Sequence, residues 1–311
     1  MVWDTIRRDS DVGSHTEEWG GIAYALAAAD ANPGFGSTIV PIIKLGRDLA
    51  ERGFEFCREL SCIATDEGIS VVDAPNPRVE LNYVGSERRC ERLHGGVPAW
   101  SWPEIAPLIK GCDALYLNFI TGDEFGLDVA REIRQHFVGP IYADIHSLML
   151  MTGPRGERTR RPLAHSAEWL ACFDVVQVNE DELAMLAGEG NDPWDYAAAV
   201  VGGNTRVLFV TLGDEGAAYV MAEGTLPLRS AHPVELNGGR VVSGRLKVEP
   251  VRDGDPTGCG DVWGMTVFRA MMTGHDVEEA MSLANSAARS NVYHRGARGL
   301  NRFLRGEMER A

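Results

Sequence analysis

No Cys-x-x-Cys pair occurs in this 311-residue chain, and its six cysteines (Cys57, Cys62, Cys90, Cys112, Cys172, Cys259) form no zinc-ligand array. That excludes a dithiol redox centre and a zinc ribbon, and leaves the thiols as small core residues. The eight histidines are scattered and form no metal triad. No apolar run reaches the roughly 18 residues of a spanning helix, and no signal-peptide pattern opens the chain. A reduced cytoplasm is therefore the expected location, with no membrane partner. Basic residues are in the minority, 30 Lys and Arg against 45 Asp and Glu, for a formal net charge of −15. That balance repels phosphate backbones at long range, so no nucleic-acid partner is expected. A small anion held by backbone amides remains compatible with it. There is no Walker G-x-x-x-x-G-K-[ST], which argues against a P-loop enzyme, and no internal repeat.

What is present is globular composition, 44% hydrophobic and 24% charged. Short apolar runs at 38–44 (TIVPIIK), 114–119, 140–144, 173–178 and 207–212 read as buried strands. Helical stretches are expected at 17–31, 48–59, 123–137, 181–187, 193–201, 260–272 and 276–293, the last with Asp276 as N-cap. This alternation predicts a mostly parallel sheet with helices on both faces, and ligands at the carboxyl ends of its strands. Two segments break the pattern. Residues 68–96 contain 69–72 and 79–84, the latter alternating like a half-exposed strand, and read as a small β appendage. Residues 148–162, with four arginines and little apolar content, read as a mobile surface loop.

The strongest chemical signal is Asp255-Pro256-Thr257-Gly258-Cys259-Gly260-Asp261 at the start of an apolar helix. Glycines at a helix start let backbone N–H groups converge, and the unpaired amides of the first turn favour an anion. A carboxylate in the same turn is ill suited to merely binding phosphate. It is well suited to taking a proton from a hydroxyl that attacks phosphorus. The plainer reading is Asp255 or Thr257 as N-cap, with Asp261 favouring the helix dipole. Gly258, Gly260 and Gly264 give G-x-G-x-x-x-G, which is not a dinucleotide fingerprint.

With these residues the chain resembles the PfkB-type, ribokinase-like carbohydrate kinase family over nearly its whole length. The family signature, close to D-T-x-G-A-G-D, is matched at 255–261 with Pro256 for Thr and Cys259 for Ala. The resemblance implies Asp261 as general base and Gly258, Cys259 and Gly260 as the anion hole, with Asp255 and Thr257 on the nucleotide side. Pro256 removes one donor, and Cys259 is expected to supply its amide. Asn179-Glu180-Asp181-Glu182 resembles the family's N-x-x-E, which implies that Asn179 and Glu182 organise Mg²⁺ through water. Read alone, it is a polar helix N-terminus. Thr211, Gly213 and Gly216 resemble the T-x-G-x-x-G turn near the nucleotide, and read alone they mark a hairpin turn. Asn285 and Arg295-Gly296-Ala297 resemble positions lining the adenine pocket and, in some members, a potassium site.

On the acceptor side, Gly20 and Gly21 resemble the di-glycine hinge between lid and core. Asp4 resembles the aspartate that bonds substrate hydroxyls after the first strand. Only three residues precede it, so the expectation is either a curtailed first strand or a native start upstream of Met1. Tyr24 stands where the family commonly has Asn. Asp144-Ile145-His146 stands where relatives often carry Asp-x-Asn, so Asp144 and His146 are substrate-side candidates, although a lone His more commonly serves as a structural hydrogen-bonder. The implied architecture is one ribokinase-like domain over 1–311. It has a three-layer α/β/α core, a mostly parallel central sheet and a β lid from about 68–100 and from 5–19. The implied activity is ATP- and Mg²⁺-dependent transfer of the γ-phosphate to a small-molecule hydroxyl, a sugar or sugar derivative, with a homodimer through the lid. Two readings stay open beside it: a nucleoside or vitamin-precursor kinase, and a sugar- or nucleotide-binding regulator without turnover.

Overall fold

The computed structural model describes all residues except 9–14, 33–36, 66, 85–87, 226–239, 252–253 and 309–311. In chain order the elements begin β1 (Val2–Arg8), β2 (Thr16–Gly20), α1 (Ile22–Ala31), β3 (Ile43–Gly46), α2 (Ala50–Arg58), β4 (Ile69–Val72), β5 (Arg78–Val84) and β6 (Arg88–His94). They continue α3 (Trp102–Ile109), β7 (Leu115–Asn118), α4 (Leu127–His136), β8 (Ile141–Asp144), β9 (Leu150–Thr152), β10 (Arg158–Arg160), α5 (Ser166–Leu170), β11 (Val175–Asn179) and α6 (Glu180–Ala187). The remainder are α7 (Pro193–Val200), β12 (Val207–Thr211), β13 (Ala217–Ala222), β14 (Val241–Leu246), α8 (Cys259–Met272), α9 (Val277–Asn291) and α10 (Leu300–Leu304).

The main sheet has the order β14-β13-β12-β11-β8-β7. β7, β8, β11 and β12 run parallel, while β13 and β14 are antiparallel. Both faces are covered. Ile141, Ala143, Val176, Val178, Leu208 and Val210 pack against residues of α3 to α7. Tyr142, Val175, Val207 and Phe209 pack against α8 and α9. Burial on both faces is why these strands read as continuous apolar runs rather than alternating ones. Three layers result, as the sequence pattern predicts.

A second sheet has the order β2-β1-β5-β6, and one of its faces buries Val2, Ile6, Val79, Leu81 and Leu93. Its composition corrects several expectations. β4 (Ile69–Val72) leaves the appendage and pairs in parallel with β3. β1 and β2 supply half of the second sheet, and residues 9–14 and 85–87 of the expected lid lie outside the described residues. β1 is seven residues long, not curtailed, because it is paired on both edges, antiparallel to β2 and parallel to β5. Asp4 therefore lies within the strand rather than after it. The helix expected from residue 17 begins only at Ile22, since Thr16–Gly20 is a strand and Gly21, at φ 57°, turns the chain between them. Of the strand expected at 38–44 only Ile43 and Lys44 belong to β3; Pro41, which lacks an N–H, lies just before it. Residues 148–162 are not a plain surface loop. β9 and β10 form a hairpin there, with the Arg158 side chain only 1% exposed. Among the described residues no helix is long and apolar enough to cross a membrane.

Candidate active site

The parallel strands end in a row. Asn118 closes β7 opposite Asp144 of β8, Asp144 is opposite Gln177 of β11, and Asn179, the last residue of β11, is opposite Thr211 of β12. The amino end of α8 meets this row. Its N-cap, Gly258, is left-handed at φ 76°, a conformation that costs little only for glycine. A Cβ there would also lie 2.3 Å from the Tyr24 ring. Asp255 Oδ1 accepts the Thr257 amide at 3.0 Å, and Asn291 Nδ2 donates to the Thr257 carbonyl at 2.9 Å.

Asp261 is anchored across the cleft, its Oδ1 accepting from Asn118 Nδ2 at 2.8 Å. Gln177 ties the same turn to the sheet by donating to the Gly260 carbonyl at 3.1 Å, while its Oε1 accepts the Tyr142 hydroxyl at 2.7 Å. A Cβ on Gly264 would fall 2.2 Å from Gln177 Oε1, so that glycine is needed for the close approach. The anion-hole expectation needs one correction. The Cys259 amide donates to the Pro256 carbonyl at 3.1 Å, so it is already engaged, whereas the amides of Gly258 and Gly260 find no partner among the described residues. Burial pushes the Cys259 thiol up to about 11, which leaves it protonated and unreactive.

Asp144 is 4% exposed, and its Oδ1 accepts both the His146 amide at 3.2 Å and His146 Nδ1 at 3.1 Å. Burial alone would lower the imidazole pKa. The Asp144 charge and hydrogen bond, then the charges of Glu182 and Asp261, raise it to about 9, which favours the imidazolium beside Asp144. Glu182 is pushed up to about 7, by burial first, with His146 opposing. Both of its oxygens are occupied: Oε2 accepts the Asn179 amide at 2.8 Å and Oε1 accepts Asn179 Nδ2 at 2.7 Å. Asn179 Oδ1 in turn accepts the Glu182 amide at 2.9 Å, which makes the pair a capping box for α6.

The acceptor-side candidates converge through packing. A Cβ on Gly20 would overlap the carboxylate of Asp4, itself 5% exposed, and a Cβ on Gly21 would meet Ile120 at 2.5 Å. Tyr24, one turn along α1, has its phenol pKa raised by burial and then by the charges of Asp255, Asp4, Asp261 and Glu18. That one ring joins the Asp4–Gly20 corner to the glycine turn.

The comparisons with known proteins follow this geometry. Residues 154–302 match the family described as pfkB family carbohydrate kinase. Over that stretch, just under half of the chain, the sequence is similar to a pfkB-family carbohydrate kinase domain. No curated protein sequence matches the chain. Among solved structures, the Burkholderia thailandensis nucleoside kinase in complex with inosine is similar at TM-score 0.72 and 18% identity, covering 96% of this chain and 91% of that one. A sulfate complex of a pyrophosphate-dependent kinase in the ribokinase family is similar at TM-score 0.71 and 17% identity, covering 95% and 94%. An Arabidopsis thaliana ribokinase complexed with ribose and ATP is similar at 0.62 and 17%, covering 97% and 95%. These likenesses show the fold, which is ribokinase-like.

The pfkB match takes in Asn179, Glu182, Thr211, Gly213, Gly216, Asn285 and all of 255–261, and leaves out Asp4, Gly20, Gly21, Asp144 and His146. The donor half of the candidate site thus lies within the matched stretch and the acceptor half outside it. Gly213 and Gly216 lie in the short turn between β12 and β13, where Gly216, at φ 97°, lets the Leu246 carbonyl approach. Asn285 Oδ1 is taken by the Trp263 indole at 2.7 Å, an internal role for that side chain.

Among the described residues no three His, Cys, Asp or Glu side chains converge to cage a metal ion. The donor chemistry fits a hydrated Mg²⁺ instead. Both Glu182 oxygens accept hydrogen bonds from Asn179, so this carboxylate would reach an ion through water. A cavity of about 780 Å³ lies alongside, lined by Ile42, Leu117, Asn118 and Phe268 among others, but no residue of 255–261 lines it. Sequence reasoning missed Asn118, Gln177 and Tyr83. Asn118 ends β7 and Gln177 lies in the middle of β11, neither in a local motif, and only the order of the strands brings them to the turn before α8.

Proposed function

We propose that the chain is an ATP-dependent phosphotransferase that moves the γ-phosphate onto a hydroxyl of a small molecule, a sugar or sugar derivative before other acceptors. The observation carrying this is the Asn118–Asp261 hydrogen bond, which aims a carboxylate from the first turn of α8 beside two unpaired glycine amides. Asp261 accepts the acceptor proton as that oxygen attacks phosphorus in line, and the bond to the leaving oxygen breaks as the new bond forms. The Gly258 and Gly260 amides hold the charge on the transferred group. Glu182 and Asn179 would hold Mg²⁺ through water, and the ion would supply further charge neutralisation. Asp4, Asp144 and His146 orient the acceptor, Gly20 and Gly21 give the hinge, and the four-stranded sheet serves as lid and as contact for a homodimer. Thr211, Gly213, Gly216 and Asn285 belong to the nucleotide side.

The test measures donor consumption by the full chain with Mg²⁺, offering ATP or pyrophosphate against a panel of sugars, cyclitols and nucleosides. Turnover with one acceptor, cut about 10²–10⁴-fold in Asp261→Asn with little change in donor affinity, is the expected result. Near-normal turnover in that variant would remove Asp261 as base. Donor binding without turnover on any acceptor would favour the regulator reading, and loss of turnover on chelation of Mg²⁺ checks the metal.

A further inference from the structure

Among the described residues, two contacts between the four-stranded sheet and the walls of the site differ in strength. At one, Arg158 Nη1 donates to Glu91 Oε1 of β6 at 2.9 Å and to the Ile120 carbonyl at 3.0 Å, and Nη2 donates to the Thr121 carbonyl at 2.7 Å. This is a buried, charge-assisted tie of three hydrogen bonds, reinforced by the Leu93 amide on the Gly156 carbonyl at 2.8 Å. At the other, the Tyr83 hydroxyl of β5 lies 2.9 Å from the Thr257 hydroxyl. That bond joins two neutral groups.

Thr257 is the residue before the left-handed Gly258. Its amide and carbonyl are fixed from the core by Asp255 and Asn291, while its hydroxyl is paired from the other sheet. We infer that Tyr83 is a positioning residue for phosphoryl transfer: its hydroxyl, acting through Thr257, holds the glycine turn in its anion-binding shape while the four-stranded sheet is closed over the site. The inference rests on the kinase reading above. A neutral hydrogen bond contributes little net free energy, so this contact can break and re-form at each turnover while the Arg158 tie stays made. Tyr83 and Ile120 both pack against the buried cluster of the same sheet, so the element that carries the Tyr83 hydroxyl to Thr257 also meets the loop after β7.

The test is Tyr83→Phe, which keeps the ring and its packing and removes only the hydroxyl. Saturating turnover falls about 3- to 10-fold with donor KM unchanged, and more ADP than phosphorylated acceptor is released because water enters the loosened site. Thr257→Val matches it, the double variant is no worse than either single one, and Thr257→Ser restores the rate. Independently of activity, amide hydrogen exchange across 257–262 speeds up in Tyr83→Phe. Wild-type turnover and wild-type exchange in Tyr83→Phe would overturn the inference, as would fully additive single losses. If the wild type turns over no acceptor, the kinase reading has failed, and exchange still decides the contact: faster in the variant supports it, equal rates overturn it.

Discussion

A Cβ on Gly258 would sit 2.3 Å from the Tyr24 ring at a φ of 76°, whereas one on Gly260 would meet nothing closer than Gln177 Nε2 at 3.8 Å. Packing therefore demands glycine at the first position and not at the second. An alanine at 260 would even favour the helix, by about 0.5–1 kcal/mol. On the proposed reading, the missing side chain at 260 leaves room for an anion to approach its amide. Gly260→Ala should accordingly keep or raise the melting temperature while turnover falls about 10²-fold or more, the scale of a lost oxyanion contact. Calorimetry and turnover together check it, and an active Gly260→Ala would place the anion elsewhere. Asn118 is the second test at this scale. Asn118→Leu removes one hydrogen bond to a charged group, roughly 1.5–3 kcal/mol, which is about 10- to 100-fold in turnover if that bond aims the base. Donor affinity, read by titration calorimetry, should hardly change. The Asp261 motif was legible because its residues are contiguous. Asn118 was not, since it lies 143 positions away and only the fold brings the two together.

At the level of elements, legibility followed burial on two faces or one. β8, β11 and β12 are buried on both sides and announce themselves as apolar runs. β2 alternates exposed and part-buried residues over its first three positions before Trp19, and such a short, half-buried strand merged with the alanine-rich helix that follows. The β9–β10 hairpin was hidden by its own composition, because arginine at that density reads as solvated surface. What buries Arg158 is a carboxylate 67 positions away and two carbonyls of the loop after β7, none of them visible in a local window. Removing that side chain takes a charge-assisted donor from Glu91, whose own side chain is 14% exposed, and donors from both carbonyls. Arg158→Ala should destabilise the protein by about 3–5 kcal/mol, with Glu91→Gln costing less because the amide can still accept. Denaturant midpoints check both, and equal losses would show that the charge pair rather than the carbonyl bonds secures the hairpin.

Over the whole molecule, the two ends of the chain meet at Asp30, the 1%-exposed penultimate residue of α1. Ser61 Oγ and the Cys62 amide donate to Oδ1 at 2.7 and 3.0 Å, and Asn301 Nδ2 and Arg305 Nη1 donate to Oδ2 at 2.7 and 3.1 Å. Burial alone would raise this carboxyl. The Asn301 and Ser61 bonds, then Cys62 and Arg305, hold it down at about 2 against an ordinary 3.8. A depressed carboxylate contributes stability that is complete above the unfolded value of 3.8 and is lost as pH falls toward 2, because the unfolded chain binds the proton first. The same helix carries Tyr24 and follows the Gly20–Gly21 corner, so the ion network that fastens α10 also holds that corner against the glycine turn. Asp30→Asn should cost roughly 2 kcal/mol at neutral pH and flatten the acid limb between about pH 4 and 2, since the amide cannot titrate. Unfolding free energies of the two proteins measured across that window settle the matter. Parallel acid limbs would mean that other carboxylates govern acid unfolding and that Asp30 acts through its hydrogen bonds alone.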